Sequence, residues 1–144
     1  MAEQENVQIV QEAYAAFKRG EVPAVLNAFA DNIDWFTPGP PELIPYAGRR
    51  RGREQVAQFF TALDQAEAVE RFEPQEFIAK GDKVIALGKY GGRIKSSGKR
   101  YETDWAHVFA LRQGKIVSFR EYTDTAAAVE LYRATSAQSA RKAQ

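Results

Sequence analysis

The sequence contains no cysteine and one histidine, His107. The first absence excludes disulfides and thiol chemistry, and the second leaves little for a transition-metal site. Chemistry without a metal or cofactor is therefore the expectation. Net charge is also lacking: 20 lysines and arginines nearly cancel 19 aspartates and glutamates. No overall field draws such a chain to nucleic acid or to an anionic membrane. No apolar run is long enough to span a bilayer, and the polar start MAEQENVQIV has no basic segment followed by an apolar one. A cytoplasmic protein is the simplest reading. The partner to expect is a small hydrophobic or aromatic molecule, or another subunit.

The length suits one domain with a real core, and no repeat or linker divides it. Residues 1–134 read as that domain, and the small, polar stretch 135–144 as a frayed tail. Val7, Val10, Tyr14 and Phe17 recur at helical steps until Gly20, so this helix has one apolar face. A short helix starts at Pro23 and carries Val25, Leu26 and Phe29, and a strand runs from Ile33 to Thr37. Four of the six prolines fall between Pro38 and Gly48, which predicts a stiff loop of the kind that lines a pocket mouth. The run Arg49, Arg50, Arg51 and Arg53 then reads as a solvated loop and helix end, since no glycine-rich phosphate loop accompanies it. The helix that follows gathers Val56, Phe59, Phe60 and Leu63 on one face.

The second half is strands. Val69–Lys80 contains Pro74, the mark of an edge or a bulge, and turns at Gly81 and Asp82 into Val84–Ile94. Gly88, Gly91 and Gly92 in that strand predict bends or close backbone approach. At period two, the next strand puts Tyr101, Thr103, Trp105, His107, Phe109 and Leu111 on one face, with Arg100, Glu102 and Asp104 on the other. The last strand gathers Val117, Phe119, Glu121 and Thr123. The two apolar rows meet only if odd positions oppose odd positions, which a three-residue loop, Arg112–Gly114, provides. That register pairs Trp105 with Glu121 and His107 with Phe119. A last helix carries Ala128, Val129, Leu131 and Tyr132, with Asp124 as its cap.

The fold expected is α+β: a curved mixed or antiparallel sheet wrapped around the N-terminal helices to form a cone-shaped pocket. Glu121 and His107 are the catalytic candidates, because a carboxylate facing apolar walls can take and return a proton and an imidazole beside it can orient or polarise a carbonyl. Each also has a structural reading, Glu121 as a carboxylate tied to Trp105 or Tyr14 and His107 as a core hydrogen-bonding group. Tyr14, Phe17, Trp35, Thr37, Phe59, Trp105 and Phe119 are the candidates for substrate contact, or for ordinary core.

IVQEAYAAFKRGEVPAVLNAFADNIDW, GRRRGREQVAQFF and WAHVFALRQGKIVSFREYTD resemble the NTF2-like, cystatin-like superfamily, and within it the SnoaL-like polyketide-cyclase and ketosteroid-isomerase-related branch. The resemblance covers about Val7 to Tyr132. It implies the cone, no cofactor, and a homodimer through the outer sheet face that carries Ala106, Val108 and Ala110. By the same resemblance, the general-base aspartate of the steroid isomerases falls on Thr37, their oxyanion-hole aspartate near His107, and their helical tyrosine on Ala13. The cyclases are nearer, with a histidine and an acid matching His107 and Glu121. The implied function is acid–base proton transfer next to a carbonyl, as in isomerisation, cyclisation or dehydration. A non-catalytic binder of a hydrophobic metabolite is the alternative, and an epoxide hydrolase or protein-interaction module is less favoured.

Overall fold

Every strand among the described residues joins one six-stranded sheet. The computed structural model describes the backbone of residues 2–143 and the side chains of residues 2–135. In chain order the elements are α1 (Ala2–Lys18), α2 (Val22–Asn27), β1 (Phe29–Thr37), β2 (Gly48–Arg51), α3 (Gly52–Ala66), β3 (Glu67–Lys80), β4 (Lys83–Ile94), β5 (Arg100–Arg112), β6 (Lys115–Thr123) and α4 (Thr125–Ala143). The strand order is β2-β1-β6-β5-β4-β3, with β1 parallel to β6 and the other pairs antiparallel. This is the curved, unclosed α+β sheet that the pattern of elements implied. No described helix is long and apolar enough to cross a membrane.

Helix α1 lies against the inner face of the sheet because its small residues let it approach closely. Val10, Ala13, Tyr14 and Ala16 are its buried positions. From this face the Tyr14 ring packs edge-on against Phe72 of β3 and Phe109 of β5. The β5 row is buried as period two requires, with Trp105, His107, Phe109 and Leu111 all inside.

Four details of the chain differ from the sequence reading. Phe29 is not helical: it opens β1, which starts four residues before Ile33 and pairs Phe29 with Ile116 of β6. The arginine run is a strand, not a loop. β2 pairs with β1, Arg49 holds Asp34 through two hydrogen bonds of 3.0 and 2.7 Å, and Arg53 donates to the Phe29 carbonyl oxygen. The third difference is the β5–β6 turn, which has two residues, Gln113 and Gly114, both at positive φ, 52° and 78°, as a primed hairpin turn requires. Odd positions still face odd positions because a bulge follows: Leu111 opposes Ile116 while Ala110 opposes Ser118, so Val117 is the extra residue. Ile116, fully buried, takes the interior place assigned to Val117, and His107 opposes Glu121 directly. Finally, α4 is longer than a short helix, and its backbone continues past Thr135 into the stretch read as a frayed tail. Side chains there, and Gln144, lie outside the described residues.

The glycines of β4 make close contacts. A Cβ on Gly88 would run into the Trp105 indole and into the carbonyl oxygen of Glu73, which sits beside the bulge at Pro74 on the edge strand β3. Gly88 is therefore what lets the indole lie flat against the sheet.

Candidate functional site

The concave face of the sheet, α1, α3 and the 38–47 loop enclose a cavity of about 130 Å³. All nine residues singled out from sequence, Tyr14, Phe17, Trp35, Thr37, Phe59, Trp105, His107, Phe119 and Glu121, line it. So do Pro38, Ile44 and Tyr46 of the proline-rich loop. Most of the wall is aromatic: Trp35 stacks on Phe119 at 3.8 Å between ring centres, and Trp105 stacks on both His107 (4.0 Å) and Phe72 (5.2 Å). Stacking against Trp105 fixes the plane of the imidazole.

His107 sits in the middle of a hydrogen-bonded chain. Its Nδ1 is 2.7 Å from the Tyr14 hydroxyl and its Nε2 is 2.8 Å from Glu121 Oε2. Glu121 comes within reach because the bulge slides β6 until His107 and Glu121 are opposite neighbours. Burial, and then the nearby Glu121 charge, push the Tyr14 hydroxyl well above its ordinary pKa, so Tyr14 keeps its proton. A neutral His107 must then carry its proton on Nε2, donating to Glu121 while Nδ1 accepts from Tyr14. The reverse tautomer would set a nitrogen lone pair against a carboxylate and leave the Tyr14 hydrogen without an acceptor. Glu121 is tied to neither Trp105 nor Tyr14. Its side chain is 23% exposed and only Oε2 is engaged, so Oε1 is left for a ligand.

The sequence reading makes His107 the group to orient or polarise a carbonyl; here it holds Glu121 and Tyr14 instead. The hydrogens of Tyr14 and His107 are both spent within the chain. The uncommitted donor is Trp105, whose indole Nε1 is buried and lacks a hydrogen-bond partner. Thr37 is a second: its Oγ1 accepts from Trp35 Nε1 at 3.2 Å, which leaves its own hydrogen free. On the outer face, Arg100 pairs with Glu70, Glu102 with Arg71 and Asp104 with Lys89, all away from the cavity. Asp124 caps α4 by accepting from the Ala127 amide. Among the described residues no group of three His, Asp or Glu side chains is placed to hold a metal ion.

Sequence reasoning missed a second polar centre. Glu67, at the junction of α3 and β3, is 1% exposed. Four tyrosine hydroxyls donate to it: Tyr46 at 2.6 Å, Tyr90 at 2.5 Å, Tyr101 at 2.8 and 2.9 Å to its two oxygens, and Tyr132. No basic side chain pairs with it among the described residues. Burial pushes all four phenols above their usual pKa, and the Glu67 charge pushes in the same direction. Three of the four, Tyr46, Tyr90 and Tyr101, also line the cavity. The one local signal was the pair Gly91–Gly92: a Cβ on Gly92 would meet the Tyr90 hydroxyl, so the glycine leaves room for that hydroxyl to reach Glu67.

Comparison with known proteins agrees with this architecture. The sequence profile of the SnoaL-like domain matches residues 10–119. An NTF2-like protein of Burkholderia xenovorans is 38% identical, superposes with a TM-score of 0.79, and aligns over 88% of this chain and 95% of its own. An NTF2-like protein of unknown function from Burkholderia pseudomallei is 31% identical, with a TM-score of 0.79 over 89% of this chain and 97% of that one. A Mesorhizobium loti protein, named provisionally as a SnoaL-like polyketide cyclase, shares the fold at 20% identity, with a TM-score of 0.66 over 81% of this chain and 97% of its own. No protein of curated function matches the sequence. The chain thus belongs to the SnoaL-like domain family, within the NTF2-like superfamily.

Proposed function

We propose that this protein is a small-molecule enzyme that moves a proton at a carbon next to a carbonyl, with Glu121 as the base. The observation that carries this reading is the Tyr14–His107–Glu121 chain set in the wall of an otherwise aromatic cavity. In the step proposed, Glu121 Oε1 takes a proton from the activated carbon. The electron pair of the broken C–H bond moves onto the carbonyl oxygen, and the free hydrogen of Thr37 donates to the enolate oxygen that forms. Aimed donors in a dry site stabilise such charge more in the transition state than in the ground state. Glu121 then returns the proton to another carbon, which isomerises the substrate, or to the alkoxide left when the enolate carbon closes on a second carbonyl, which completes a cyclisation, or to the hydroxyl that leaves the neighbouring carbon as water, which completes a dehydration. His107 holds Oε2 throughout and fixes which carboxylate oxygen faces the substrate.

The test is proton exchange. In deuterated water the wild-type protein should exchange the acidic C–H of an activated ketone that fits one ring. Glu121→Gln, which keeps the size and removes the base, should slow that exchange by about 100-fold or more, the usual contribution of general-base catalysis. Undiminished exchange in the variant would rule out Glu121 as the base and put the non-catalytic binder ahead.

A further inference from the structure

The proton-transfer reading uses one end of the cavity and leaves the Glu67 end without a role. A hydrogen count gives that end a definite chemistry. Glu67 accepts from four phenols, so the hydrogens of Tyr46, Tyr90 and Tyr101 point towards the carboxylate and away from any ligand. A phenol oxygen that donates its hydrogen can still accept one. The Tyr46 and Tyr101 oxygens lie 3.3 Å apart, close enough for one ligand hydrogen to meet either of them. This end of the cavity therefore presents acceptors to a ligand.

Charge sharpens the choice. No lysine or arginine lines the cavity, whereas Glu121 and Asp124 do, and Glu67 lies behind the tyrosines. An anionic ligand would enter against three carboxylates with no cation to meet it. An ammonium at this end would have to shed its water beside a carboxylate already saturated by four hydrogens, which is costly; the open carboxylate oxygen, Glu121 Oε1, lies at the other end and would draw an ammonium away from these tyrosines. A neutral hydroxyl meets neither penalty.

We infer that Tyr46 and Tyr101, held by Glu67, form a subsite that accepts a hydrogen bond from a neutral hydroxyl, so that the ligand is a ring bearing a phenol- or enol-type OH and no acid group. This names the ligand class of the cavity in which the proton transfer is proposed, and it rests on that reading only for what happens at the other end. The size agrees, since an apolar cavity of roughly 150 Å³ accepts a benzene-sized ring, and this one measures about 130 Å³.

The two tryptophans of the chain, Trp35 and Trp105, both line the cavity, so their fluorescence reports on occupancy. Titration with p-cresol, toluene, benzylammonium and benzoate should show p-cresol binding about five-fold more tightly than toluene, the worth of one net hydrogen bond, with benzoate weaker than toluene, and benzylammonium weaker than toluene once Glu121→Gln removes the open carboxylate. In Tyr101→Phe, and separately in Tyr46→Phe, the advantage of p-cresol should fall while toluene binding holds, and the paired variants guard against one failing to fold. In Glu121→Gln the advantage should persist. Equal binding of p-cresol and toluene, tightest binding of benzoate, tightest binding of benzylammonium in Glu121→Gln, or no binding by any probe would overturn the subsite. So would an advantage lost in Glu121→Gln and kept in both tyrosine variants, since the hydroxyl would then sit at Glu121. An advantage that survives while exchange proves independent of Glu121 would support the subsite and remove the catalytic reading alone.

Discussion

Replacing Glu67 by alanine should cost the fold at least about 2 kcal/mol. The carboxylate is the common acceptor for Tyr46, Tyr90, Tyr101 and Tyr132, which arrive from the 38–47 loop, β4, β5 and α4. Removing it leaves four hydroxyls without their partner. Each buried donor left unsatisfied costs about 1–3 kcal/mol, so the loss stays large even if water or rotation rescues half of them. A domain has only about 5–15 kcal/mol in total. Tyr132→Phe is the matched control. It removes one donor and leaves the carboxylate three, so about 1 kcal/mol is expected. Urea denaturation compares the two; a Glu67→Ala midpoint within about 1 kcal/mol of wild type at unchanged slope would show that the cluster does not hold the fold.

Alkali should unfold the protein abruptly. Tyr14, Tyr46, Tyr90, Tyr101 and Tyr132 all have their hydroxyl pKa raised in the folded state, with burial the first cause in each. An unfolded tyrosine ionises near pH 10. Below that pH both states hold these protons and the stability they give is fully present. Above it the unfolded chain releases them while the folded one does not, so stability falls as pH rises. At about 1.4 kcal/mol per group for each pH unit, five groups remove roughly 7 kcal/mol by pH 11. Unfolding is expected between about pH 10.5 and 12, with the tyrosinate absorbance of five of the six tyrosines, all but the exposed Tyr122, appearing in step with loss of circular dichroism. Tyrosinate from more than one tyrosine, formed gradually from pH 10 in a protein still folded, would mean that these hydroxyls are open to solvent.

What could be read from the sequence followed from local periodicity. The face of α1 with Tyr14 and Phe17, the inward row from Tyr101 to Leu111, the edge-strand proline Pro74 and the cap at Asp124 depend on near neighbours along the chain, and each is found in place. The register of β6 was different. A two-residue turn and a bulge at Val117 together preserve parity as a three-residue loop would, but they shift the pairing, and only the shift sets His107 opposite Glu121. Parity is visible in a pattern of apolar residues, whereas a bulge that preserves it is not. Glu67 gave still less signal. It lies near Glu70, Glu73 and Glu76, which are more exposed or carry surface ion pairs, and nothing in a run of glutamates distinguishes the one that four distant tyrosines will reach. The mid-strand glycines did announce close contacts, though not with which side chains.

The candidate site depends on how one proton is placed. Tyr14 donating to Nδ1 and Nε2 donating to Glu121 leave Oε1 free to act as a base; any other placement ties the carboxylate up differently. With His107 the only histidine, the imidazole signals of uniformly nitrogen-15-labelled protein belong to one ring and need no assignment. At pH 8 the spectrum should show a protonated Nε2 and an unprotonated, hydrogen-bond-accepting Nδ1, and Tyr14→Phe should move the Nδ1 signal most. A proton on Nδ1 with a bare Nε2 would contradict the account, because Tyr14 would then accept rather than donate and Glu121, facing a nitrogen lone pair, would lose its place as the poised base.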